Sequence, residues 1–552
     1  MPPESETAVP AADTPSAYAE LIERLKQAGA TAGADLNYAQ TGMDVDMEVA
    51  PEQLAAVAAQ LKRDRFSLET LVGVDRQPDL CVLYLFKPFD GGGARVRVRA
   101  TTARDVATLP TLSAVYGGAD WYEREIADMF GINFTDHPHL RPLLLPHYTK
   151  FHPLRKDFHG APIDIPEDTV EIPEIDVNEA MKLGKSDAPQ RDFFLNMGPQ
   201  HPSTHGVLRI LLHVEGERVL GGRCHLGYSH RGTEKLAEKR QYVQILPYTD
   251  RMDYLSPVNY NWGWAKLLER AANIESTPRA EVIRLIMGEL SRVASHLVWL
   301  GTYLLDLGAI TPFLYCFEDR EMILTIFERV SGQRMTTSYI VFGGVRNDVY
   351  GSFVEDVSKL VKHMRKRMPE YDTLVMKNEI FLMRTDKVGA ISPEQAVEYG
   401  VSGPCLRAAG VDYDVRRDEP YCDLYSQLEW KVPVETAGDC LARSLVRMEE
   451  IEQSLNLIEQ ALSKLEEGPV RAKVPKLFKV PAGEYYSITE GPRGAIGWYL
   501  IGDGSNMPYR LKVRVPSFAN LQIVEQLIPG MRVADVVSIL GSLDVVIPEI
   551  DR

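Results

Sequence analysis

The chain has 552 residues, 45% hydrophobic and 25% charged, a mix that excludes wholesale disorder, collagen and a disulfide mini-scaffold. The formal charge of −16 is concentrated: residues 1–50 hold nine acids against two bases, and residues 160–190 hold eight acids against two lysines. The rest is near neutral and offers no basic face for releasing counterions from phosphates, so nucleic acid is not an expected partner. None of the six cysteines forms a CxxC pair, which argues against a zinc ribbon or a sequence-local iron–sulfur site. No metal and no cofactor is expected in this chain, and so few cysteines suit a reducing compartment.

In chain order, residues 1–16 read as an acidic, proline-bearing disordered tail with no apolar run of the signal-peptide kind. Residues 17–159 read as an α+β domain. Helical spacing covers 17–28 and 51–65, strand patterns cover 80–86 and 95–101 around the turn Phe89-Asp90-Gly91-Gly92-Gly93, and 121–130 is an amphipathic helix stopped by Gly131. Residues 136–159, with five histidines and four prolines, predict an extended wrapping segment. Residues 160–190 carry four prolines and no aromatic residue, the composition of a linker.

Residues 191–552 read as a larger, mainly α-helical domain with peripheral strands. Strands are predicted at 193–197, 207–214 and 218–226, with Glu215-Gly216-Glu217 as a hairpin turn. Helical periods dominate 234–334 and return at 354–367 and 439–467, the last charged along one face and stopped by Gly468-Pro469. Strands close the chain at 485–490, 496–503 and 510–515. The apolar stretch His296–Phe317 is interrupted by Asp306 and Pro312, so it predicts a helix buried on all sides inside protein rather than a membrane span.

Ten of the twelve histidines fall in two groups, 137–159 and 201–230. The first lies among prolines without matched ligands, which favours hydrogen-bonded histidines over metal ligands. In the second, His201 and His205 have the i, i+4 spacing of a zinc pair, but Pro199 and Pro202 break any helix and no Glu follows His201. A loop bracketed by Gly198 and Gly206 suits presenting a side chain into a cavity, or a turn whose histidines only satisfy carbonyls. Downstream, Thr233 is the expected N-cap of a helix, and Asp250, Arg251, Asp253 and Tyr254 precede an aromatic-rich one. Asp306 needs a partner, either an arginine or a histidine that it orients. No phosphate-binding glycine loop and no GxSxG elbow is present.

These motifs resemble respiratory complex I. GPQHPSTHGVLR, HRGTEKLAE, DRMDYLSPVN, LGTYLLDLGAITPF, FGGVRND, GPCLRAAGVDYDVR and GSLDVVIPEIDR make residues 191–552 similar to its large hydrophilic D subunit, and EREIADMFGINF with HPLRKDF makes residues 17–160 similar to its C subunit. The acidic stretch between them looks like the joint of a fused C/D form. The D subunit is also similar in fold to the nickel–iron hydrogenase large subunit. The stretches matching that family's two CxxC pairs, Arg251–Ser256 and Asp544–Glu549, hold no cysteine here, so nickel has no thiolates.

The resemblance implies a peripheral subunit on the cytoplasmic face of the inner membrane, working in proton-translocating NADH:quinone oxidoreduction. It implies quinone as substrate, held by His205 and Tyr254, with Asp306 behind the histidine and His201 lining the same cavity. It also implies electrons from an iron–sulfur cluster in the neighbouring small subunit, near Arg251, and contact with the membrane subunit that forms the quinone channel. A ferredoxin-linked or membrane-bound hydrogenase-related complex shares the module and is the alternative. Two positions depart from the pattern: Thr336 stands where the family usually has histidine, and Val341 where it has arginine.

Overall fold

The computed structural model describes residues 18–89, 93–160, 192–475 and 477–552. The expected tail and the expected linker, apart from Gly160, lie outside the described residues, as does most of the expected glycine turn.

The N-terminal part is a mixed sheet with helices against it. After α1 (Ala19–Gln27) come β1 (Ala30–Asp35), β2 (Val45–Val49), α2 (Leu54–Arg63), β3 (Phe66–Asp75), β4 (Asp79–Pro88) and β5 (Val96–Ala103). The order is β1-β2-β5-β4-β3, with only the central β2–β5 pair parallel. Strand β3, unread from the sequence, is buried along its whole length, so it lacks the alternation that marks a half-exposed strand. Helix α3 (Ala119–Phe130) ends at Gly131, whose φ of 70° supplies the left-handed turn. The segment 136–159 has no regular helix or strand and wraps α3: Asp128 accepts from the backbone N–H of Leu143 and Leu144 at 2.8 and 2.9 Å. His152 donates to Asp128 O at 2.9 Å, a hydrogen-bonded histidine in the wrapping segment as expected.

The second part opens with β6 (Asp192–Met197), β7 (Arg209–Glu215) and β8 (Arg218–His225), an antiparallel sheet in the order β8-β7-β6. Its helical body comprises α4 (Pro257–Ala272), α5 (Pro278–Asp306), α6 (Ile310–Ser331), α7 (Phe353–Tyr371) and α8 (Cys440–Leu462). A sheet of β9 (Gly483–Gly491), β10 (Gly494–Gly502) and β11 (Arg510–Arg514) follows, then α9 (Val533–Leu543) and α10 (Ile547–Asp551). No described helix is long and apolar enough to cross a membrane.

Three expectations are corrected. The stretch 296–317 is two helices, not one: α5 stops at Asp306 and the chain turns through Gly308, at φ 90°, before α6 begins. Nor is the stretch buried on all sides, because Leu305, Ile310 and Leu314 are 45%, 60% and 58% exposed. The helix after Gly232 is capped by Gly232 itself, in left-handed conformation, and Thr233 lies buried inside its first turn. Helix α8 ends at Leu462, since the next N–H groups bond three residues back rather than four.

One apolar cluster runs from the N-terminal sheet into β9–β11 and α9. Alternate residues of β11 face the N-terminal part: Arg510 donates to Gly73 O at 2.9 Å, and Lys512 reaches Glu125 at 2.5 Å. Arg95, just before β5, and Arg97, within it, answer from the N-terminal part, paired to Glu419 and Glu484 at 2.6 Å each.

Candidate functional site

The loop between β6 and β7 is built to present one histidine. A cis Gly198-Pro199 bond and a single 3₁₀ turn, Pro202–Thr204, fold it back on itself. His205 closes that turn in the left-handed region, φ 51°, and Thr204 Oγ1 holds both ends by donating to His201 O at 2.7 Å with Gly206 O at 2.9 Å. His205 Nε2 donates to Asp306 Oδ2 at 2.5 Å. The side chains are only 18% and 9% exposed, so water screens the pair little. Asp306 takes the histidine, and not an arginine, as its partner. With Nε2–H committed to the carboxylate, Nδ1 is the ring atom left free for another group.

His201 is exposed, and its Nδ1 accepts from Ser203 N at 3.3 Å, a turn-capping role. Arg251 is exposed as well, its guanidinium donating to Pro247 O at 2.7 Å. Tyr254 is 37% exposed and sits on the loop before α4. Its hydroxyl is pushed above the ordinary phenol value by burial first, with Asp253 and Asp544 adding to the rise while Arg493 and Arg320 oppose it.

The two stretches matched to the hydrogenase cysteine pairs meet in space. Arg493, from the turn between β9 and β10, pairs with Asp253 at 2.7 Å and Asp544 at 3.3 Å. A buried guanidinium there bridges two carboxylates. Glu549 lies nearby and accepts from Ser517 Oγ at 2.9 Å; burial, then the charge of Asp253, pushes its carboxyl up to about 7. The same C-terminal stretch touches the histidine loop, for a Cβ on Gly206 would lie 2.8 Å from Ile547. The segment holding Thr336 and Val341 is tied to this region too, because Ser338 N donates to Asp250 Oδ1 at 3.2 Å.

Sequence reading missed Arg493. Its only signal was the turn Gly491-Pro492-Arg493-Gly494 between two strand patterns, and turns are ordinarily solvent-facing. Close in sequence to His205 and Asp306, the apolar residues Val207, Leu305, Ile310 and Leu314 are all exposed, the last two one helical turn apart on α6. Among the described residues, no group of three or more His, Cys, Asp or Glu is arranged to hold a metal ion.

Comparison with known proteins agrees with this architecture. Residues 306–479 and 472–552 match the family "Respiratory-chain NADH dehydrogenase, 49 Kd subunit", and residues 47–163 match its "30 Kd subunit". The NADH-quinone oxidoreductase D subunit of Syntrophobacter fumaroxidans is 50% identical over 361 residues, covering 65% of this chain and 96% of that protein. The D subunits of Geobacillus kaustophilus and Desulforamulus reducens are 50% and 48% identical, each covered over 98% of its length. The matched families and relatives thus define a respiratory-chain NADH dehydrogenase subunit. The chain belongs to the family of NADH-quinone oxidoreductase D subunits and carries a 30 kDa-subunit unit ahead of it in the same polypeptide. Its partners are other subunits of that complex.

Proposed function

We propose that this chain forms the quinone-reduction site of a proton-translocating NADH:quinone oxidoreductase, together with the subunit that carries the terminal iron–sulfur cluster. The observation that carries the reading is the His205–Asp306 pair at 2.5 Å, in a loop shaped to present that imidazole and packed against the segment that Arg493 ties to Asp253, the residue before Tyr254.

Reducing a quinone takes two electrons and two protons. The cluster of the neighbouring subunit supplies the electrons; this chain's residues hold and deliver protons. Asp306 accepts from Nε2 and fixes the ring, so Nδ1 donates to a quinone carbonyl only from the imidazolium form and is left an acceptor once that proton has moved. A phenol is protonated at neutral pH and burial only raises its value further, so the Tyr254 hydroxyl is a donor for the opposite carbonyl. Both carbonyl oxygens become strong bases on reduction and draw those protons. The exposed apolar residues Val207, Leu305, Ile310 and Leu314 suit an isoprenoid tail and the membrane subunit that would guide it. The chain then sits on the cytoplasmic face of the inner membrane without spanning it.

The test uses the purified complex carrying His205→Ala. NADH-driven quinone reduction should collapse while NADH reduction of ferricyanide persists. Unchanged quinone turnover refutes the site, and turnover with reduced ferredoxin but not NADH refutes the electron donor.

A further inference from the structure

The loop carrying Tyr254 has no regular structure of its own, and its position depends on the residue beside it. Asp253 Oδ1 accepts from Leu255 N and Ser256 N at 3.1 and 3.3 Å, which shapes the entry to α4. Asp253 Oδ2 takes the Ser256 hydroxyl and Arg493 Nη1. The other arm of Arg493 holds Asp544, the left-handed residue that closes α9, three positions before the Ile547 that meets Gly206.

The backbone beneath Arg493 has little room to yield. Gly491 pairs directly with Gly494, leaving a two-residue turn. Buried Arg292 donates to the carbonyls of Glu490 and Gly491 at 2.9 Å each, and Asn520 Nδ2 donates to Arg493 O at 3.1 Å. Gly494, at φ 131°, lies so close to Ser402 and Gly403 that a Cβ there would clash. The arginine and its two carboxylate partners are at most 5% exposed. A planar guanidinium can hold both carboxylates in a fixed fork; a lysine ammonium is a single point charge.

We infer that Arg493 is a positioning residue for quinone reduction, a buried brace that sets where Tyr254 stands relative to the His205 loop and so whether one substrate meets both proton donors. The inference rests on the reading of His205 and Tyr254 as donors.

The test is made in the assembled complex, with Arg493→Lys and Arg493→Gln each built in the wild-type and Tyr254→Phe backgrounds. The readouts are kcat and KM for a short-chain quinone, and NADH:ferricyanide activity as a measure of intact assembly. Arg493→Gln should lower kcat by about tenfold or more, as misplacement of a reacting group does, with ferricyanide reduction held within about twofold. Arg493→Lys should recover part of the loss. In the Tyr254→Phe background Arg493→Gln should cost less than about twofold, because it acts through the tyrosine. Wild-type quinone turnover in Arg493→Gln, or the same loss in both backgrounds, overturns the inference. If Arg493→Gln does not assemble, Asp544→Asn cuts the second arm alone; it should give the same tyrosine-dependent loss, and no loss overturns the proposal. Should Tyr254→Phe itself turn over quinone normally, the donor reading fails; should it be impaired while the Arg493 variants are not, only the brace fails.

Discussion

Asp306→Asn separates the charge behind His205 from the hydrogen bond. The amide can still accept from Nε2, so the ring keeps its place while the negative charge is lost. A hydrogen bond to a charged group is worth ~1.5–3 kcal/mol and a neutral one ~1 kcal/mol, leaving about 1 kcal/mol for the charge. With side chains 18% and 9% exposed, most of that difference should survive solvent screening. If the imidazolium delivers its proton in the rate-limiting step, about 1 kcal/mol becomes a five- to tenfold fall in kcat. The quinone KM should move less than about twofold, because Nδ1 still reaches the carbonyl. Steady-state quinone reduction by the purified complex measures both constants. In a His205→Ala background the further loss from Asp306→Asn should shrink to less than about twofold. Equal losses in the two backgrounds would mean that Asp306 does not act through His205, and the reasoning would be refuted.

Tyr254→Phe keeps the ring and removes the proton, so quinone turnover should fall about tenfold or more while ferricyanide activity and the complement of other subunits stay normal. Gly198→Ala should disable the histidine loop outright: its φ is 90° and a Cβ would sit 1.9 Å from Leu208 O. Loss of quinone turnover, with a destabilisation of about 2 kcal/mol or more in the unfolding of the chain, is the expected result. Glu549 holds its proton up to about 7 in the fold, against 4.5 for the unfolded chain. Its stabilising contribution is therefore full below about pH 4.5 and is lost as pH rises to 7, on the order of 3 kcal/mol at most. Glu549→Gln should flatten that fall in thermal midpoint between pH 5 and 8, and an unchanged profile would remove Glu549 from this role.

Local physics made part of this protein legible from its residues alone. Prolines and glycines around His201 and His205 forbade a helix, and the structure has a tight loop there. Alternation around Glu215-Gly216-Glu217 marked the hairpin of β7 and β8, which pair as read. The motifs carrying His205, Tyr254 and Asp306 were visible as strings, and the family resemblance, not their spacing, set Asp306 behind His205, where the structure has it. That α5 ends at Asp306 and releases its side chain toward His205 depends on the turn at Gly308, and an apolar stretch with one carboxylate reads equally well as a single buried helix. The charges of α8 were read as one face of the helix, yet Arg443, Arg447 and Glu450 are fully buried. Glu450 accepts from Arg407 at 2.5 Å and from His296 at 2.9 Å, and both partners come from elsewhere in the chain. Arg493 is the sharpest case, joining carboxylates 240 and 51 positions away. A charged residue counts as solvent-facing until its partner is known, because burying it unpaired is costly. Sequence periodicity reports which faces are apolar; which distant charges neutralise each other is decided only when the elements pack.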